Sequence, residues 1–259
     1  CLGEETVTPE VLVARHLQSL GDASARGAQS RAAQGSVQYR EISGRGTSSN
    51  GTAMMACEGR KLRLAFQFPT EIYPGEDVLF DGARVQVGQS RPRTRSTLGV
   101  FLLARDDLIR EGLLGGTLST GWALLDVPGR APHLKYAGVR KIDGRDLLQL
   151  NYDPRKGDSD LQIQILFEPE TYRHVMTIYS LTVPPPMTRG RSLASGPSEG
   201  HYTLRETFGE FRVMDGLNVP SHWTLEVTGE GVTSSDTRWE VVFDRMQNTP
   251  VDASNFKLH

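Results

Sequence analysis

Polar and apolar residues alternate with a period of two along most of this chain. Leu62, Leu64, Phe66 and Phe68 are separated by Arg63, Ala65 and Gln67, and Leu161, Ile163, Ile165 and Phe167 by Gln162, Gln164 and Leu166. Trp223, Leu225 and Val227, then Trp239, Val241 and Phe243, repeat the pattern. Successive side chains of a strand point to opposite faces, so this alternation predicts strands with one face buried and one wet. Ser49-Asn50-Gly51, Phe80-Asp81-Gly82, Ile142-Asp143-Gly144 and Gly229-Glu230-Gly231 read as the turns between them, because Asn, Asp and Gly accept the positive φ of tight hairpins. About ten to twelve strands at hairpin spacing predict a single curved antiparallel sheet and a mainly β (α+β) fold.

Two segments break the alternation. Thr8-Pro9-Glu10 has the cap, the first-turn proline and the acidic residue that open a helix; Val13, Leu17 and Leu20 follow on one face, and Gly21 closes it. Residues 22–34 are alanine-rich and polar and read as a further helical turn or a loop, with strands from Gly35 onward. Ser96 to Gly116 is the second break: Leu98, Phe101, Leu102, Leu108, Ile109 and Leu113 suit helical turns that end at Gly115-Gly116. A helix inserted there would plug the concave face of the sheet. Residues 184–200 are rich in Pro, Ser and Gly and predict a flexible loop between two strands. The expected organisation is a tether over residues 1–8 and one domain over 9–259.

Charge and composition narrow the picture. The chain carries 29 Lys and Arg against 31 Asp and Glu, a formal net charge of −2, which gives no electrostatic reason to bind nucleic acid. The longest apolar run, Leu98–Ala104, is far shorter than the ~20 residues of a spanning helix. The cysteines are Cys1 and Cys57. A disulfide between them is an option in an oxidising compartment, but Cys57 follows the strand-like Ala53-Met54-Met55-Ala56 and reads better as a small buried hydrophobe. Cys1, ahead of a polar stretch, resembles the lipidated first residue of a bacterial lipoprotein after signal-peptide cleavage. Acyl chains such as palmitate on Cys1 would join the protein to membrane lipid. The expected location is the periplasmic side of a bacterial envelope. The outer membrane is favoured over the inner, since Leu2 lacks the acidic character that resembles an inner-membrane retention signal.

Catalytic chemistry is thinly represented. The six histidines are scattered without metal-ligand spacing, there is no G-x-S-x-G elbow, and the glycine-rich Gly44–Thr52 lacks the Lys-Ser/Thr of a phosphate loop. Glu206 and Glu210 stand on strand-like segments and read as solvent-exposed. The expectation is a protein that is not an enzyme and carries no metal or cofactor. Arg91, Arg93 and Arg95 read either as a solvated loop or as a contact for anionic head groups or an acidic partner. A curved sheet of this size encloses more volume than one or two helices fill, and such space commonly takes an apolar ligand.

The helix over Thr8–Gly21, the strands of Ala33–Gly46 and Lys61–Glu71, the insertion Arg95–Leu125 and the long strand pair of Leu161–Leu181 together resemble the LolA/LolB/LppX-like family of bacterial lipoprotein and lipid carriers. The resemblance is architectural and spans the chain from Thr8 onward. It implies an unclosed β-barrel with helices lying as a lid over an apolar cavity that receives acyl chains. The residues that would line that cavity are Leu62, Leu64, Phe66, Phe68, Phe101, Leu102, Trp122 and Ile165. On this reading the partners are membrane lipid through Cys1 and an apolar ligand or the acyl chains of a lipoprotein. The alternative is a structural accessory subunit of a membrane protein complex, built on the same fold with a filled core.

Overall fold

The computed structural model describes residues 7–43, 46–88, 95–154, 160–183, 200–230 and 236–258. Among these, twelve strands form one antiparallel sheet that does not close into a barrel. They are β1 (Ser30–Glu41), β2 (Ser48–Glu58), β3 (Lys61–Gln67), β4 (Gly75–Phe80), β5 (Val85–Val87), β6 (His133–Ile142), β7 (Arg145–Asp153), β8 (Leu161–Phe167), β9 (His174–Val183), β10 (Gly200–Met214), β11 (Leu217–Glu230) and β12 (Thr237–Gln247). Their order across the sheet is β5-β4-β3-β2-β1-β12-β11-β10-β9-β8-β7-β6. The spatial order departs from the sequence order at two places. β1 pairs with β12, joining the two halves, and β5 leads to β6, which lies at the opposite edge.

That second exception explains the insertion. The chain leaves one edge strand and must reach the other, so it crosses the open face of the sheet. The crossing is made by α3 (Thr97–Ala104), α4 (Asp107–Arg110), a 3-10 turn over Gly116–Leu118, a second over Ala123–Asp126, and α5 (Val127–Arg130). Ser96 caps α3 by accepting from the amide of Gly99 at 2.9 Å. The expected helical stretch is therefore two short helices, the second ending at Arg110 ahead of Gly112 at φ 68°; Gly115 and Gly116, at φ 78° and 50°, open the first 3-10 turn instead of closing a helix. Most of the insertion's apolar residues, Val100 and Leu103 excepted, form one buried cluster with the inward positions of the other long strands, and Leu134 and Tyr136 of β6 pack against it half-buried.

The N-terminal helix α1 (Pro9–Ser19) is capped by Thr8, whose hydroxyl accepts from Val11 at 3.3 Å. It buries Leu12, Val13 and His16 and docks on the β8–β9 turn. There Arg15 stacks on Tyr172 (5.1 Å) and donates to its hydroxyl, and Ser19 and His16 contact the Tyr172 carbonyl. α2 (Ala23–Arg26) is the further turn expected between residues 22 and 34, but β1 begins at Ser30, earlier than the expected start at Gly35. The turn expected at Ser49-Asn50-Gly51 is strand: these residues pair with Tyr39, Gln38 and Val37. Gly51 serves close approach there, since a Cβ would lie 2.1 Å from the Gln67 carbonyl oxygen. Asp81-Gly82 and Asp143-Gly144 do lie between paired strands, with positive φ at Gly82, Asp143 and Gly144. The Gly229-Glu230-Gly231 turn begins in β11 and runs outside the described residues, as do Cys1, Arg91, Arg93 and most of the expected loop at 184–200.

Candidate ligand-binding interior

Period-two parity carries side chains from every long strand to the concave wall, where the inserted segment lies against them. All eight expected lining residues are buried in the same cluster: Leu62, Leu64, Phe66 and Phe68 on β3 and its end, Phe101 and Leu102 on α3, Trp122 before the second 3-10 turn, and Ile165 on β8. Leu64, Leu102, Trp122 and Ile165 have no exposed surface. The packing is side chain on side chain, and the rings of Phe208, Trp223 and Phe243 stack in a row with centroids 6.4 and 6.5 Å apart. Arg95, the one described member of the arginine trio, sits just before α3 and reaches the carbonyl of Val87 at 3.4 Å. A depression lined by Gln34, Ser36, Thr52, Met54, Asp244 and Arg245 is open to solvent and includes none of the expected lining residues.

Within this apolar wall stand two carboxylates that residue-by-residue reading assigned wrongly or missed. Glu206 was expected at the surface, yet it is fully buried; Glu210 is exposed as expected. The signal was parity: Leu204, Glu206 and Phe208 alternate on β10, so Glu206 faces inward with its apolar neighbours. Sheet register then sets its partners, because Thr177 on β9 and Leu225 on β11 lie opposite Glu206, which places Tyr179 and Trp223 on its diagonals. Tyr179 donates its hydroxyl to Oε1 at 2.8 Å, and Trp223 Nε1 donates to Oε2 at 2.8 Å. The third donor comes from the insertion: the Gly115 amide reaches Oε2 at 2.8 Å. Burial nevertheless outweighs these three donors and raises the carboxyl to about 7.

Glu76 repeats the composition near the other end of the insertion. It shares the inward parity of Val78 and Phe80 on β4 and is 5% exposed. Tyr73 donates its hydroxyl to Glu76 and accepts from Trp239 Nε1 at 2.7 Å. The Ser96 side chain, at the start of α3, also hydrogen-bonds the carboxylate, and burial raises it to about 7 as well. Each buried glutamate thus has a tyrosine and a tryptophan within its network and one donor from the inserted segment.

Two histidines complete the interior. Their positions in sequence gave no sign of proximity, but His16 on α1 and His174 on β9 have ring centroids 6.2 Å apart. Trp122 donates to His16 Nε2 at 3.1 Å, so the proton is on Nδ1 and is given to the Tyr172 carbonyl at 3.0 Å. Trp122 also stacks on His174 at 4.8 Å. Burial lowers His16 to about 4 and His174 well below its ordinary value, so both rings are neutral. Elsewhere Arg31, 5% exposed, donates to the Thr117 and Leu118 carbonyls at 2.7 and 3.0 Å and ties the 3-10 turn to β1. Cys57 is a free, fully buried thiol. Among the described residues no group of three or more His, Cys, Asp or Glu is arranged to hold a metal ion, and no helix is long and apolar enough to cross a membrane.

Neither a protein-family model nor a curated protein matches the sequence. Solved structures do match in fold. The LolA superfamily protein NE2245 from Nitrosomonas europaea aligns over 98% of this chain and 99% of its own, with 9% identity and a TM-score of 0.51. A putative outer membrane lipoprotein-sorting protein domain from Vibrio parahaemolyticus aligns over 96% and 97%, with 13% identity and a TM-score of 0.48. The Mycobacterium tuberculosis lipoprotein LppX aligns over 94% and 98% at 13% identity, with a TM-score of 0.21. The fold is that of the LolA-like half-barrels.

Proposed function

We propose that this chain is a carrier or binding protein of the bacterial envelope, accepting acyl chains or another apolar ligand between the concave sheet and the inserted segment. The observation that carries the reading is the insertion itself. It joins opposite edges of an unclosed sheet and covers the wall with apolar side chains, so its displacement would expose Leu62, Leu64, Phe66, Phe101, Leu102, Trp122 and Ile165 to a ligand of like character. The LolA-like fold supports the same reading. An acyl group on Cys1 would tether the body to membrane lipid, with the outer membrane as the favoured location, and Arg95 with its loop neighbours Arg91 and Arg93 would face anionic head groups.

Organic extraction of the protein isolated from its own envelope, followed by mass spectrometry, tests the ligand. A co-purifying lipid in stoichiometric amount is expected; its absence, together with no uptake of added acyl chains, sinks the reading. The intact mass of the membrane-derived chain tests the anchor, since an unmodified Cys1 rules it out. One observation favours a second reading: the interior is filled by the protein's own side chains, as suits a structural subunit of a membrane complex. A stoichiometric partner retained through mild detergent extraction, with no lipid, would favour that role.

A further inference from the structure

The inserted segment is the best available template for whatever replaces it, and the inference here rests on the carrier reading. The segment offers the wall two things. One is a set of apolar side chains, among them Leu98, Phe101, Leu102 and Leu113. The other is a hydrogen-bond donor to each buried carboxylate: the Ser96 side chain to Glu76 and the Gly115 amide to Glu206.

When the segment moves away, the wall donors stay. Tyr179 and Trp223 remain on Glu206, and Tyr73 remains on Glu76. What each carboxylate loses is one donor. Among the described residues neither glutamate forms an ion pair, and its contacts are neutral phenol, indole, hydroxyl and amide groups. A ligand entering this chamber therefore meets two acceptor sites carrying negative charge or a single proton each. A carboxylate or phosphate brought beside them meets like charge in a medium of low dielectric, with no cation to offset it. A head group with an N–H satisfies the vacated lone pair as the Gly115 amide does.

We propose that Glu206, seconded by Glu76, selects among acyl ligands for those whose polar end donates a hydrogen bond, an N-acyl amide above all, and turns away free fatty-acid anions. In this role Glu206 is a specificity residue in the binding chamber, and Gly115 occupies the place of the ligand's amide in the closed form.

The test compares three ligands of equal chain length by calorimetry with the whole protein at about pH 8, above the value near 7 that burial gives both carboxyls. N-dodecanoylethanolamine carries an amide donor, methyl dodecanoate is neutral without one, and dodecanoate is anionic. The expected order of affinity is amide, ester, anion, with at least about tenfold between the first and last, the scale of one hydrogen bond to a charged group. In Glu206→Gln, which keeps the size of the side chain and an acceptor for Trp223 while its NH2 donates to the Tyr179 hydroxyl, that gap closes to within about threefold. The wild-type ratio is itself a readout, so the test survives a poorly folding variant. Equal binding of amide and anion by the wild-type protein keeps the carrier reading and overturns the selection, as does an unchanged ratio in both Glu206→Gln and Glu76→Gln. Failure of all three ligands to bind overturns the carrier reading and the selection with it.

Discussion

Glu206 and Glu76 are built from the same parts and wired differently. In the first cluster the carboxylate is the hub: it accepts from Tyr179, from Trp223 and from the Gly115 amide, and it has no exposed surface. In the second the phenol is the hub, since Tyr73 accepts from Trp239 and donates to Glu76, while Ser96 supplies the carboxylate's other partner. The difference decides what a lost carboxylate leaves behind. Without Glu206, three buried donors are orphaned at once. Without Glu76, the Trp239 indole keeps its acceptor, and the loss falls on one phenol and one serine hydroxyl.

This contrast sets the largest expected effect. Each buried donor left unpaired costs roughly 1–3 kcal/mol. Glu206→Ala should therefore destabilise the protein by roughly 4 kcal/mol or more, and Glu76→Ala by about half as much. Urea unfolding of both variants against wild type measures the difference. Equal losses would show that the two clusters are energetically alike and that wiring is irrelevant.

Titration separates the carboxylates from the histidines. Glu76 and Glu206 rise on folding from 4.5 to about 7, so their contribution is fully present below about 4.5 and is lost as pH rises through 7. Burial takes His16 from 6.5 to about 4 and holds His174 well below its ordinary value, so their contribution is present above 6.5 and is lost as pH falls. Between these limits the two pairs oppose each other, and wild-type stability should change little. Glu206→Gln removes one falling component. Its stability relative to wild type should climb by on the order of 3 kcal/mol between pH about 4.5 and pH about 7.5. Unfolding free energies at a series of pH values check this, and parallel curves for the two proteins would exclude Glu206 as the titrating group.

These clusters also mark where the sequence was legible. Alternation in Leu62–Phe68, Leu161–Phe167 and Trp223–Val227 was enough to find the sheet and its buried face, because parity is local and every residue votes for it. The same parity applied to Glu206 and Glu76 points inward, but a carboxylate's usual preference for water argued the other way. For Glu206, the register of β9, β10 and β11, which is a long-range property, supplies Tyr179 and Trp223, two of the three donors that make the burial tolerable. The Asn50-Gly51 turn failed for a related reason. Gly51 looks like a hairpin residue by type, while the constraint it answers is the Gln67 carbonyl of a neighbouring strand. The pairing of His16 with His174 lay beyond any local pattern, since it needs α1 to dock on the β8–β9 turn.

A smaller effect tests whether the Glu206 cluster depends on the turn that feeds it. Gly116 has φ 50°, and a Cβ there would lie 2.7 Å from the His174 ring. Gly116→Ala should cost about 2 kcal/mol, part from the left-handed backbone and part from displacing the ring. If the turn shifts to relieve the contact, the Gly115 amide should lose protection in hydrogen exchange. Retained protection at Gly115 with the same loss of stability would place the strain in His174 alone.

The smallest effect concerns the other end of the insertion. Ser96 does two jobs in the Glu76 cluster: it caps α3 through the Gly99 amide and hydrogen-bonds the buried carboxylate. Ser96→Ala removes both, yet the global cost should be only about 1 kcal/mol, the usual scale of a lost cap. The informative readout is local. Amides at Gly99 and Val100 should exchange faster, while those of Leu113 to Leu118, held by Arg31 and Glu206 at the far end, should not change. That outcome would make α3 the loosely held half of the insertion, consistent with Val100 and Leu103 being 56% and 49% exposed. Faster exchange along the whole segment would instead mean that both carboxylates release it as one body.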